Sequence, residues 1–75
     1  MQKKWLKVTE IQYEGYLRGY AEKERIINLD RVDIIYPDLN NTMIRIGNEF
    51  LMLSSKSSEE FMQIIREGIA NDREN

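Results

Sequence analysis

The first part of the chain alternates between two sets of side chains from residue 5 to residue 13. Leu6 and Val8 fall on one side of an extended backbone. The other side carries Trp5, Lys7, Thr9, Ile11 and Tyr13. A period of two is typical of a β-strand, and Trp, Val, Thr, Ile and Tyr favour a pleated surface. The pattern predicts a first strand and leaves open which face is buried.

Residues 14–23 are the hardest segment to assign. Gly15 and Gly19 weaken a helix, whereas tyrosines at positions 13, 16 and 20 are spaced like one helical face. A long hairpin connection is the preferred interpretation, and a short helix is the alternative. In a hairpin the glycines allow positive φ, and the tyrosines either cover the sheet or form a contact surface.

Two apolar runs in the middle of the chain predict strands at residues 25–28 and 31–36. Between them, Asn28 and Asp30 favour a short turn or bulge because their side chains bind nearby backbone amides. The second strand ends at Pro37, which has no amide to donate and is followed by Asp and Asn.

The dipeptide Gly47-Asn48 separates two alternating segments, residues 43–46 and 49–54. A two-residue connection with glycine first predicts a tight β-hairpin. The sequence leaves open which residues share a face with Ile44 and Ile46: Phe50 and Met52, or Leu51 and Leu53.

A helix is predicted from about Ser58 onward. The segment of residues 57–60, Ser-Ser-Glu-Glu, has a serine followed three residues later by a glutamate, which is typical of a reciprocal helix cap. Apolar residues then recur at three- and four-residue intervals and form one stripe: Phe61, Met62, Ile64, Ile65 and Ile69. The stripe requires a sheet to pack on, and residues 70–75 are expected to fray.

The order of strands followed by a helix predicts an α+β fold. We expect a sheet of four or five mostly antiparallel strands, with one C-terminal helix packed on one face. A chain of 75 residues has room for one hydrophobic core, so residues 1–75 are interpreted as a single small domain. With 41% hydrophobic residues, the chain is too apolar for intrinsic disorder.

The chain contains no cysteine and no histidine, which restricts the chemistry it can perform. Disulfides and the commonest zinc ligands are excluded, and carboxylates, Lys and Tyr remain for acid–base work. Adjacent Glu59 and Glu60 diverge on a helix, and Asp30, Asp33 and Asp38 lack the spacing of a calcium loop. We therefore predict no catalytic residue, no metal site, no cofactor and no small-molecule substrate.

A binding surface is the more promising interpretation. Tyrosine and arginine are enriched at protein interfaces and also stack on single-stranded bases. The candidate contact residues are Trp5, Tyr13, Tyr16, Arg18 and Tyr20. So short a chain without disulfides gains stability by association, so the expected partner is a second copy or another protein.

The distribution of charge along the chain suggests an alternative function, that of a small nucleic-acid-binding protein. Residues 1–31 hold seven Lys/Arg and five Asp/Glu (+2), whereas residues 32–75 hold four and eight (−4). The basic residues for such a role are Lys3, Lys4, Lys7, Arg18, Lys23 and Arg25. The net charge of −2 makes phosphate binding less favoured than protein contact.

The chain is expected to be cytoplasmic. Its apolar runs are far shorter than the ~20 residues that cross a bilayer. The basic start resembles that of a signal peptide, but Lys7, Thr9 and Glu10 interrupt the position of its apolar stretch.

Several short segments resemble the FlbD-type small flagellar proteins. They are Trp5-Leu6-Lys7-Val8-Thr9, Ile27-Asn28-x-Asp30-x-Val32-x-x-Ile35, Asn41-Thr42-Met43-Ile44-x-Ile46-Gly47, Leu53-Ser54-Ser55 and Ser58-Glu59-Glu60-Phe61. Small prophage proteins of bacterial origin show similar patterns. The chain departs from the family at residues 12–24, where a Tyr-rich connection replaces a short turn, and in a shortened second hairpin turn. The resemblance implies a small non-enzymatic regulatory or interaction protein. A motility role does not follow from it, and no family functional residue is transferred.

Overall fold

The structure, a computed structural model, describes residues 4–38 and 40–74, and the side chains up to residue 69. It contains five β-strands followed by one α-helix: β1 (Trp5–Tyr13), β2 (Tyr20–Asn28), β3 (Val32–Tyr36), β4 (Met43–Ile46), β5 (Glu49–Leu53) and α1 (Ser55–Glu74). All strand pairs are antiparallel. The predicted α+β fold is therefore confirmed.

The strands form one sheet in the order β2-β1-β5-β4-β3. The outermost strands, β2 and β3, are consecutive in the chain, and only the three-residue 3₁₀ turn Leu29–Arg31 joins them. A flat sheet would separate its outer strands by roughly 19 Å, whereas the four steps from Asn28 to Val32 reach at most about 14 Å. The sheet must therefore curl so that its two edges approach each other.

The β1–β2 hairpin is paired along its whole length, whereas β1 and β5 pair over a short stretch. The β1–β5 register is Glu10 with Leu53 and Ile11 with Met52. One further bond runs from the Ser54 amide to the Thr9 carbonyl, at 2.9 Å. Beyond this point α1 begins, and its first turn lies beside β1 where β5 would otherwise continue.

The hydrophobic core lies between α1 and one face of the curled sheet, here called the inner face. Its fully buried residues are Leu6, Val8, Ile27, Ile44, Leu51, Leu53 and Phe61. Met62, Ile64 and Ile65 of α1 are partly buried against this cluster. The predicted packing of the helix on one face of the sheet is confirmed. Ile69 departs from the predicted stripe, because it lies beyond the core and is 51% exposed.

The helix begins at Ser55, so the predicted start at about Ser58 is wrong. The cap is Ser54, whose Oγ accepts a hydrogen bond from the Ser57 amide at 3.3 Å. The Ser-Ser-Glu-Glu segment therefore lies inside the helix, and its serines bind strands instead of capping. The prediction that residues 70–75 fray is not tested, although α1 extends to Glu74, and it stays a prediction.

The connection at residues 14–23 is shorter than predicted. The turn covers residues 14–19, and β2 begins at Tyr20 instead of residue 25, because the register with β1 continues to Tyr13 and Tyr20. Gly15 and Gly19 have φ of +109° and +68°, the conformation for which glycine was predicted. The short-helix alternative is wrong.

The other predicted turns lie within a few residues of their observed positions. Residues 29–31 form a 3₁₀ turn, and Asn28 Oδ1 accepts a hydrogen bond from the Asp30 amide at 2.9 Å. In the tight hairpin Gly47 has a φ of +61°, and Ile46 pairs with Glu49. The pairing of Ile44 with Leu51 settles the open choice, because Leu51 and Leu53 share the inner face with Ile44.

The packing of Phe61 gives a stability prediction. We expect Phe61→Ala to lower the free energy of unfolding by about 3–5 kcal/mol, because it leaves a cavity among buried side chains. Urea denaturation followed by circular dichroism measures the change. The control is Ile69→Ala on the same helix, which should change stability by less than about 0.5 kcal/mol. Equal losses for the two variants would contradict the described packing.

Two serine hydroxyls join the start of α1 to the sheet. Ser57 Oγ accepts from the Thr9 amide at 2.8 Å. Ser58 Oγ accepts from the Thr42 amide at 2.8 Å and donates to the Leu53 carbonyl at 3.3 Å. Ser58 and Thr42 are fully buried, so the bond between them has no competition from water. The first turn of α1 is thereby held between β1 and the segment that precedes β4.

We expect Ser58→Ala to lower the free energy of unfolding by about 1–3 kcal/mol, because it leaves the buried Thr42 amide without its acceptor. The matched control is Ser55→Ala, an exposed position on the same helical turn. Both variants introduce alanine into the same helical turn. The difference between their free energies of unfolding in urea therefore measures the loss of the buried hydroxyl. A Ser58→Ala variant as stable as Ser55→Ala would refute the assignment.

Candidate interaction surface

The face of the sheet opposite α1 is also apolar. Strand alternation and strand pairing place a cluster of nine residues there, here called the outer face: Ile11, Tyr13, Tyr20, Ile34, Tyr36, Met43, Arg45, Phe50 and Met52. By the same alternation Trp5, Lys7, Thr9, Glu22, Glu24 and Ile26 lie on this side of the β1–β2 hairpin, outside the cluster. None of them belongs to the buried core cluster. An apolar face of this size without a covering layer is typical of an interaction surface.

Two rows of side chains run across the outer face. In the first row Ile11 pairs with Met52, Met52 with Met43, and Met43 with Tyr36. The three aliphatic residues of this row are half-buried. Their side chains therefore protrude less from the sheet than the exposed aromatic rings do.

The second row lies two residues further toward the β1–β2 turn. It contains Tyr20, Tyr13, Phe50 and Arg45, followed by Ile34 on β3. The Tyr13 and Tyr20 rings are in edge contact, with centroids 5.3 Å apart. Phe50 also approaches Tyr36 across β4, with centroids 6.4 Å apart. The aromatic side chains of the face are 47–68% exposed, so they stand above the aliphatic row.

The turn of the β1–β2 hairpin projects two more apolar side chains. Gly19 closes the turn: its carbonyl accepts from the Glu14 amide at 2.7 Å, and its amide donates to the Gly15 carbonyl at 2.8 Å. This leaves Tyr16 93% and Leu17 94% exposed. The structure therefore places Tyr16 in solvent and not over the core.

The five predicted contact residues separate into two groups. Tyr13, Tyr16, Tyr20 and Arg18 lie together at the turn end of the hairpin, and all four are exposed. Trp5 lies at the opposite end of β1, about 27 Å away along the strand. It lines an open cleft beside the start of α1, together with Leu6, Lys7, Thr9, Lys56, Ser57 and Glu60. Trp5 is thus on the same side of β1 as Tyr13 but far from the nine residues of the outer face.

Three of the six basic residues suggested for nucleic-acid binding form ion pairs. Lys4 lies 3.6 Å from Asp30, and Lys7 lies 3.4 Å from Glu24. Arg18 and Lys23 are exposed, and Lys3 lies outside the described residues.

Arg25 takes part in a separate charged network on the inner side of the hairpin. Its Nη1 donates to Oε1 of the buried Glu10 at 2.9 Å, and its Nη2 lies 3.5 Å from Glu49. Gln12 donates to the same Glu10 oxygen at 3.0 Å. Because a buried carboxylate requires these donors, Arg25 has a structural role.

The three aspartates considered for a cation serve different turns. Asp30 contacts Lys4, and Asp33 accepts from the Gly47 amide at 3.0 Å. Asp38 accepts from the amides of Asn40 and Asn41, and these bonds lower its pKa below the ordinary value of 3.8. Within residues 4–38 and 40–74, no group of three His, Cys, Asp or Glu is placed to hold a metal ion.

Seven members of the outer face were not predicted as site residues: Ile11, Ile34, Tyr36, Met43, Arg45, Phe50 and Met52. Their strands were identified, but their face was not. The Gly47-Asn48 turn fixes the pairing of β4 with β5. This pairing, together with knowledge of which side of β5 is buried, would have identified the members on these two strands. Arg45 lies between Phe50 and Ile34, and its Nη2 is 4.0 Å from Asp33.

Comparison of the chain with protein-family models, with curated proteins and with solved structures finds no match in any of the three. The resemblance to the FlbD-type proteins therefore stays a hypothesis. Among the described residues, no helix has the length and apolar character required to cross a membrane.

Proposed function

We propose that this chain is a small, non-enzymatic protein-interaction or regulatory module of the cytoplasm that binds through its outer face. The observation that supports this proposal is the exposure of Tyr13, Tyr20, Tyr36 and Phe50 on a face with no covering layer in the described chain. Aromatic and methionine side chains are enriched in the centres of protein interfaces. Exposing them in water is unfavourable unless a partner buries them.

The hairpin end adds to this surface. Tyr16 and Leu17 project from a turn whose backbone is held by Gly15 and Gly19. A turn ordered before binding loses less conformational entropy when a partner arrives. Arg18 provides an exposed cation beside these apolar groups.

Nucleic-acid binding is the alternative, and it has less support. Lys4, Lys7 and Arg25 lie beside carboxylates, so their charges are partly neutralised before any phosphate approaches. Binding to single- or double-stranded probes at low salt, with a steep loss on adding salt, would favour this alternative over the proposal.

A matched pair of variants on β2 tests the proposal. Tyr20 and Ile26 are both 68% exposed on the same side of this strand, but Ile26 lies about 20 Å from Tyr20 along the strand and outside the outer face cluster. We expect Tyr20→Ala to weaken partner binding by about tenfold or more, the usual effect of removing an aromatic contact residue. Neither variant should change the free energy of unfolding by more than about 0.5–1 kcal/mol.

The measurement is quantitative capture by the immobilised protein, from an extract of its source and from a solution of the free chain. Equal capture by Tyr20→Ala and Ile26→Ala would contradict the proposal, and so would unfolding of Tyr20→Ala. Tyr16→Ala is a second test at the turn, where the structure predicts reduced capture with unchanged stability.

A further inference from the structure

We propose that the outer face binds the outer face of a second copy of this chain, giving a two-fold symmetric dimer. The inference rests on the proposed function and names its partner. Four properties of the molecule support it: the area of the outer face, the shape of its two rows, its small net charge and the poor fit of the sheet edges for strand pairing.

The area is close to that of a stable interface. An aromatic side chain has roughly 200 Å² to bury, so the four aromatics of the outer face at 47–68% exposure present about 450 Å². The aliphatic row, Ile34 and the projecting Tyr16 and Leu17 increase this area. The total approaches the ~800 Å² per partner of a standard protein interface.

The two rows fit each other when one copy is rotated by 180°. The aromatic row stands above the half-buried row of Ile11, Met52 and Met43. A two-fold axis that lies in the plane of the interface, parallel to the two rows and between them, places the aromatic row of each copy over the aliphatic row of the other. In such an isologous contact the same patch serves as both surfaces, so one patch with a ridge and a groove is sufficient.

Charge does not oppose this arrangement. Arg45 is the charged residue within the two rows, and Asp33 lies beside it at 4.0 Å. Glu22, which pairs with Ile11, borders the aliphatic row, so the local net charge is small, and each whole chain carries only −2. Two copies meet with little repulsion, whereas a strongly charged partner gains little from this face.

The edges of the sheet are poorly suited to self-association. A two-fold pairing of β2 centred on Lys23, Glu24 or Arg25 places that residue opposite its own copy, and like charges directly opposite are destabilising. On β3 the register shifts between Val32 and Ile34, and Pro37 follows the strand. A bulge and a proline both hinder strand addition. The face is thus the favoured contact.

The test compares Phe50→Glu with Ile26→Glu. Phe50 is in the aromatic row, whereas Ile26 is a similarly exposed apolar residue on the same side of the sheet but outside the two rows. Sedimentation equilibrium over the micromolar range measures the mass, and circular dichroism verifies folding. We expect wild type and Ile26→Glu to reach about twice the 9.0 kDa chain mass. Phe50→Glu should raise the dimer dissociation constant by about thirtyfold or more.

Three outcomes overturn the inference: a monomeric wild type across the range, a Phe50→Glu variant that dimerises like wild type, or dissociation by Ile26→Glu as well. If Phe50→Glu does not fold, Tyr13→Asp replaces it, with the same expected dissociation. A monomeric wild type that still captures another protein in a Tyr20-dependent way would refute the dimer and leave the proposed function standing.

Discussion

The anchoring of the first turn of α1 between two strands is the constraint on which the structure depends. Ser57 and Ser58 accept hydrogen bonds from the amides of Thr9 and Thr42, on opposite sides of the helix start. These bonds fix where the helix leaves the sheet, and Phe61 follows one turn later in the core. Because buried amides are costly to leave unpaired, the serines determine the helix position as much as its apolar stripe does.

The position of α1 in turn decides which sheet face is buried. The helix covers Leu6, Val8, Leu51 and Leu53, and within the described chain no other element is present to cover the opposite side. The curl imposed by the short link between β2 and β3 concentrates this core on the concave inner side. The outer face is left as an exposed aromatic and aliphatic surface, and the interaction proposal follows from that division.

The charged groups support the sheet more than they define a site. The network of Glu10, Arg25, Gln12 and Glu49 allows a carboxylate to lie among buried side chains of the hairpin. The ion pairs of Lys4 and Lys7 are exposed and contribute little to stability, but they reduce the positive charge available to a phosphate backbone. The apolar outer face therefore has the stronger claim to function.

Sequence patterns alone predict the local structure: the alternating strands, the glycine turns at 15, 19 and 47, the amphipathic helix and hence the α+β class. They also identify Trp5, Tyr13, Tyr16, Arg18 and Tyr20 as contact candidates. Only contacts in the folded chain show that Leu6 and Val8 face inward while Ile11 and Tyr13 face outward. The same contacts bring Phe50, Tyr36, Met43 and Met52 onto one surface, and Ser54 is the helix cap. The physical reason is that both faces of β1 and of β5 are apolar, so a period of two cannot rank them. The choice depends on hydrogen bonds and packing between residues distant in the chain, such as Thr9 with Ser57 and Thr42 with Ser58.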